Sequence, residues 1–152
     1  MGCSYEEAKV RWYVSNLLRT KDVNPKVMEI VMDWALDKPD ILGFDEVEME
    51  KAGKTENPEA NLRRQEILLA GLGKHPSKVV KTTISGVEKM LRRVSSLFHL
   101  SPVEQEIFGL FVRLSTQPYF LDLAEELSNS PRRGRKKPLT LFDCIVRMIN
   151  GK

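Results

Sequence analysis

Ser101-Pro102-Val103-Glu104, continuing as Gln105-Glu106-Ile107-Phe108-Gly109-Leu110-Phe111-Val112-Arg113-Leu114, is the stretch on which the fold turns. A serine followed three residues later by a glutamate is a capping box. The Ser101 hydroxyl can take the orphan amide of Glu104, while the Glu104 carboxylate reaches back to the amide of Ser101. Proline suits the first turn of a helix, where its missing N–H costs nothing. Val103, Ile107, Leu110, Phe111 and Leu114 then recur at helical spacing and are expected to form a buried face. An amphipathic α-helix starts at this box.

The same grammar repeats on both sides. Upstream, Ile84, Val87, Leu91, Val94 and Phe98 are spaced 3-4-3-4, and His99-Leu100 leads into the box. Leu62, Ile67, Leu68 and Leu72 mark an earlier helix that stops at Gly71-Leu72-Gly73 and Pro76. Nearer the start, Val10, Tyr13, Val14, Leu17 and Leu18 form one stripe. Asn24-Pro25 supplies an N-cap and first-turn proline for a second, Val27, Ile30, Val31 and Trp34, ended before Pro39. The short link between these two helices predicts antiparallel neighbours. Downstream, Pro118 opens a helix through Leu121, Leu123, Ala124 and Leu127. Thr140 with Asp143 is a further capping box, starting a short helix over Leu141, Phe142, Ile145, Val146 and Ile149, with Asn150-Gly151 as its stop. No segment shows sustained period-two alternation with β-branched enrichment. The expected fold is all-α, with about seven amphipathic helices in a compact bundle, an acidic loop and a basic loop.

Two segments break the pattern. Residues 37–61 hold eight acids against three lysines and read as a solvated loop with one short helix. Residues 128–138 are basic and proline-bounded, a flexible loop by composition. The expected organisation is a helical domain over 1–127, the basic loop over 128–138 and a short C-terminal helix over 139–152. A chain of 152 residues with 41% apolar and 30% charged side chains suits one soluble domain. Its net charge of +3 hides an asymmetry. Residues 1–127 carry 17 basic and 20 acidic side chains, while residues 128–152 carry seven basic and one acidic. No apolar run approaches the ~20 residues of a membrane span, so no membrane partner is expected. Cys3 and Cys144 do not make a disulfide framework, and a cytoplasmic location is expected.

Catalytic signatures are thin. Gly53-Lys54-Thr55 has the last three residues of a phosphate-binding loop, but Glu48 stands where its first glycine belongs. The run Asp45-Glu46-Val47-Glu48-Met49-Glu50 beside it would repel phosphate. Gly71-Leu72-Gly73-Lys74 is half of a dinucleotide fingerprint with no strand before it, and reads as a helix end. His75 and His99 stand alone at helix junctions, without metal-ligand spacing. Glu125-Glu126 and Glu104/Glu106 fall on expected helix exteriors, where solvation is the default. Met1-Gly2-Cys3-Ser4-Tyr5-Glu6 departs from a myristoylation signal, which needs serine or threonine where Glu6 stands. The strongest interaction feature is Arg132, Arg133, Arg135, Lys136 and Lys137, five cations within six residues that can meet nucleic-acid phosphates or a protein partner.

Residues 84–127 resemble the helical region N-terminal to the ATPase module in a group of bacterial AAA-type ATPases. The phrase Leu100-Ser101-Pro102-Val103-Glu104 stands here, as there, between two apolar helices. The resemblance spans about a third of the chain. It implies a non-catalytic regulatory or protein-recruiting helical domain, cytoplasmic and without cofactor, whose partner is a protein client or the ATPase module. Residues 45–50 and 132–137 would then be charged contact zones that steer encounter. No position matches the family's phosphate-binding glycines and lysine, metal-binding acids or sensor residues. No catalytic, cofactor-binding or metal-binding residue is therefore assigned, and any ATPase activity would belong to a longer parent. In such a parent the next module would cover the helix at 140–149, which is expected to be partly bare here. The alternative is a nucleic-acid-binding, helix-turn-helix-like domain using residues 132–137.

Overall fold

The computed structural model describes residues 4–19, 25–38, 47, 58–72, 84–129 and 141–150. Among them are seven helices and no strand, so the fold is all-α. They are α1 (Tyr5–Leu18), α2 (Pro25–Leu36), α3 (Pro58–Leu72), α4 (Gly86–Leu97), α5 (Pro102–Thr116), α6 (Pro118–Asn129) and α7 (Leu141–Asn150). Four of the seven begin on a proline, the position where a fixed φ and a missing amide help rather than hinder. The capping box is present at α5: the Glu104 amide donates to Ser101 Oγ at 3.3 Å, and the Ser101 amide donates to Glu104 Oε2 at 2.7 Å. An equivalent box, Ser4 with Glu7, starts α1. No described helix is long and apolar enough to cross a membrane.

The core is built around α1, which packs mainly on α3 and α7. Val10, Tyr13, Val14, Leu17 and Leu18 of α1 are all buried, joined by Val31 and Trp34 of α2, Leu68 and Leu72 of α3, and Phe120 and Leu123 of α6. Each fully buried aliphatic or aromatic side chain of this kind contributes about 1.5–3 kcal/mol. The Tyr13 and Phe120 rings stack with centroids 5.9 Å apart. Several polar groups within the core are paired. Trp34 Nε1 donates to the Tyr119 carbonyl at 2.6 Å, and Asn16 Nδ2 to the Met148 carbonyl at 2.8 Å. Gln65 Nε2 donates to the Leu18 carbonyl at 2.8 Å, satisfying an acceptor at the end of α1.

Several expectations change. The main partner of α2 is α6 rather than α1. Residues 58–61, expected within the acidic loop, are helical, because Pro58 opens α3 at its first position. Ser128 and Asn129 extend α6, with Ser128 Oγ donating to the Ala124 carbonyl at 2.6 Å. Leu62, Leu121 and Phe98 point outward. Of the face of the last helix that was expected to be partly bare, Ile145 is buried, Ile149 lies against the core and Val146 is exposed, Met148 is also buried, and the side chains of Leu141 and Phe142 lie outside the described residues. The largest change is in α5. Val103, Ile107 and Phe111 are exposed, and the buried face is Gly109, Leu110, Arg113 and Leu114. The helix is turned about its axis so that an arginine, not a phenylalanine, faces in.

Candidate functional site

The turn of α5 follows from a charge network at the junction of α1, α4 and α5. Arg113 is 1% exposed, the largest side chain buried so completely among the described residues. Its Nε donates to Glu6 Oε2 at 2.8 Å, and its Nη2 donates to Glu6 Oε1 at 3.2 Å and Glu88 Oε2 at 2.7 Å. Ser85 Oγ donates to Glu6 Oε1 at 2.6 Å, and Arg92 Nε donates to Glu88 Oε1 at 3.2 Å. Next to them the buried Lys9 Nζ donates to Glu106 Oε1 at 2.8 Å and sits 4.6 Å from the Trp12 ring centroid. Tyr13 donates its hydroxyl to Glu106 Oε2 at 3.2 Å. Three cations thus meet three carboxylates, and the buried charge is balanced.

The local sequence explains how Glu88 arrives there. Ser85-Gly86-Val87-Glu88 has the spacing of a capping box, and the Glu88 amide does donate to Ser85 Oγ at 3.0 Å. The Glu88 carboxylate, however, leaves the box for Arg113 and Arg92. Burial raises its pKa, but hydrogen bonds and attraction from Arg113, then Arg92, outweigh that and hold it below the ordinary carboxylate value. Burial pulls the Arg113 pKa down, and the surrounding Tyr13, Glu88 and Glu6 more than reverse this. The Tyr13 phenol is pushed well up by burial and by Glu106, so it remains a donor at neutral pH.

Above the network lies an open cleft of about 780 Å³ between α1, the end of α4 and the start of α5. His99 stands on its rim at φ 52°, in the left-handed region where glycine is usual. It closes a Schellman turn: the Leu100 amide donates to the Ser95 carbonyl at 2.9 Å and the His99 amide to Ser96 at 3.4 Å. Ser95 Oγ, buried in the cleft wall, has no hydrogen-bond partner, so no base is placed to take its proton. Among the described residues no group of three or more histidine, cysteine, aspartate or glutamate side chains is placed to hold a metal ion.

Away from the cleft, α4 and α5 each carry exposed apolar side chains. Leu97 and Phe98 at the end of α4 are each 72% exposed, with Met90 also outward, while Val87 and Val94 are half-buried. Val103, Ile107 and Phe111, one above another at i, i+4 and i+8, line the outer flank of α5.

Sequence reasoning named neither part of this arrangement. It placed Glu106 on a solvated exterior, where the structure gives it Lys9 and Tyr13. The usable signals were the Ser85-x-x-Glu88 spacing and a charged Arg113 at helical spacing from Glu106 and Gly109. The residues it did name, Arg132, Arg133, Arg135, Lys136 and Lys137, lie outside the described residues, as do Gly53-Lys54-Thr55, His75, Cys3 and all of 45–50 except Val47. Comparison with family models, with curated proteins and with solved structures gives no match to this chain.

Proposed function

We propose that the chain is a non-catalytic, protein-recruiting helical domain, of the kind that stands N-terminal to the ATPase module in bacterial AAA ATPases. The observation that carries the reading is the exposed apolar flank of α5. A helix that buries Leu110 and Leu114 yet leaves Val103, Ile107 and Phe111 in water has an apolar arc wider than its own fold covers. A row of exposed apolar side chains, one above another on a helix, is the kind of surface that protein partners cover. The ion network supports the same reading from behind, since it pins both helices to α1 and presents the face on a rigid frame. A rigid face spends little ordering entropy on binding.

The test is affinity capture with the full chain and with an Ile107→Ser/Phe111→Ser variant. Both positions are exposed, so the variant should melt within a few degrees of the parent. The reading expects a reproducible set of captured proteins that the variant loses. An identical set from both chains would overturn it.

A further inference from the structure

The cleft above the ion network holds hydrogen-bond donors that the fold does not use. Its two wall carboxylates are already matched: Glu88 accepts from Arg113 and Arg92, and Glu106 from Lys9 and Tyr13. Arg92 and Ser96, one turn apart on α4, and His99 in the turn that ends it line one wall, and Gln105 of α5 lines another. The side chains of Ser96, His99 and Gln105 make no hydrogen bond among the described residues. Arg92 keeps its Nε on Glu88 at 3.2 Å, which steadies the guanidinium and leaves its Nη groups without a carboxylate among the described residues. His99 occupies left-handed backbone, where glycine would be unstrained, and its imidazole returns no contact to the fold for it. Backbone strain of this kind gathers at ligand sites.

Charge and size then set the ligand. Helix α4 carries Lys89, Arg92 and Arg93 against Glu88 alone, and the Glu88 carboxylate is matched from inside the fold by Arg113. Lys89 and Arg93 are exposed and have no ion-pair partner among the described residues. The local field therefore favours an anion. Four donor groups on two walls outnumber the two oxygens of a planar carboxylate and suit the three terminal oxygens of a phosphate ester. Leu100 and Pro102 offer an apolar seat to its carbon skeleton. A cleft of about 780 Å³ has the size of a small-molecule site, about 300–1,000 Å³. Independently of the apolar flank of α5, we propose that the cleft binds a small organic phosphate monoester. Arg92, Ser96, His99 and Gln105 donate to its phosphate oxygens.

Glycerol 3-phosphate is the probe, titrated at constant ionic strength into the isotope-labelled full chain and followed by two-dimensional NMR of the backbone amides. The amides of Ser95, Ser96, His99, Leu100 and Gln105 should shift together, with one dissociation constant below about 1 mM. Arg92→Gln removes a charge-assisted donor and should weaken binding about tenfold or more, while Glu88 keeps Arg113 and the fold its network. His99→Gly should weaken it about threefold or more and melt no lower than the parent, so that this loss does not trace to misfolding. D-glycerate, with a carboxylate in place of the phosphate, should bind about tenfold more weakly. Equal affinity for D-glycerate and glycerol 3-phosphate overturns the phosphate assignment. Inorganic phosphate binding as tightly as the ester overturns the organic ligand. Shifts that do not saturate by about 10 mM, or an affinity unchanged in Arg92→Gln and His99→Gly, overturn the site.

Discussion

Replacing Arg113 with methionine keeps the volume of the stem and deletes one cation from the centre of the network. Three hydrogen bonds disappear, all at 2.7–3.2 Å. Glu88, with a side chain 9% exposed, keeps only the half-exposed Arg92, and Glu6, 13% exposed, keeps Ser85. Breaking a buried pair by removing one partner costs about 3–5 kcal/mol, because the remaining charge stays buried and uncompensated. Against a typical total stability of about 5–15 kcal/mol this is a large fraction. For a chain of this size it lowers the melting temperature by about 6–20 °C. The loss should also depend on pH. In the parent, Glu88 titrates below its ordinary value of 4.5, so its contribution is present above that pH and fades as pH falls through the lower folded value. In Arg113→Met the burial remains without the guanidinium, the Glu88 pKa rises above 4.5, and protonation now relieves the folded state. The cost measured by urea denaturation should therefore be largest near pH 7 and shrink toward pH 5. A loss under about 1 kcal/mol, or one independent of pH, would refute a desolvated network and mean that water reaches these charges.

Gly109→Ala should destabilise by about 1–3 kcal/mol in spite of alanine's better helix propensity. A β-carbon there would sit 2.8 Å from Arg113 Nη1, on a guanidinium held by its hydrogen bonds and unable to swing away. Gly86→Ala, at a position with nothing within 4 Å, should instead be neutral or stabilising, and equal effects at both glycines would sink this packing account. His99→Gly should raise stability by about 0.5–1 kcal/mol by removing a side chain from left-handed backbone, and a lower melting temperature would show that the imidazole holds the turn. Ser95→Ala removes a buried hydroxyl without a partner, so thermal unfolding should show no loss and a gain of up to about 1 kcal/mol. A loss above that size would reveal a bound water in the cleft wall.

Helices and their starts were legible because their signals are local. A serine three residues before a glutamate, or a proline ahead of an apolar run, states its own case, and at Ser101 and Pro118 the helices begin where those residues place them. The α1 stripe was legible too, since a helix enclosed on several sides buries its whole apolar arc. The orientation of α5 was not. Periodicity finds the middle of an apolar arc, not which flank its neighbours cover. Deciding that requires the partner of Arg113, and Glu6 lies 107 positions away. Ion pairs of such separation leave no trace in composition or spacing. Lys9 was hidden in the same way, a single cation between Ala8 and Val10 whose carboxylate belongs to another helix.

The two sides of the hairpin are one design problem. By hydrophobicity alone, α4 should turn Val87, Met90, Val94 and Leu97 inward and leave Glu88 in water. The structure does the reverse at the Glu88 end, and the force available to hold that orientation is the Arg113–Glu88 pair together with Arg92. Buried ion pairs contribute little net stability but can select one packing over its competitors. Neutralising Arg113 together with its two carboxylates, with Glu6→Gln, Glu88→Leu and Arg113→Leu, should therefore cost far less than Arg113→Met alone, while freeing α4 to rotate its seam into the core. A reporter thiol introduced by Leu97→Cys reads this directly. Alkylation at position 97, located by mass spectrometry of the tryptic peptides, should be fast in the parent, where Leu97 is 72% exposed. It should slow by about tenfold or more in the neutral variant as the seam becomes covered, with helicity retained. An unchanged alkylation rate would mean that packing from other helices, not the charges, sets the orientation of α4, and the apolar face would be presented whether or not the network exists.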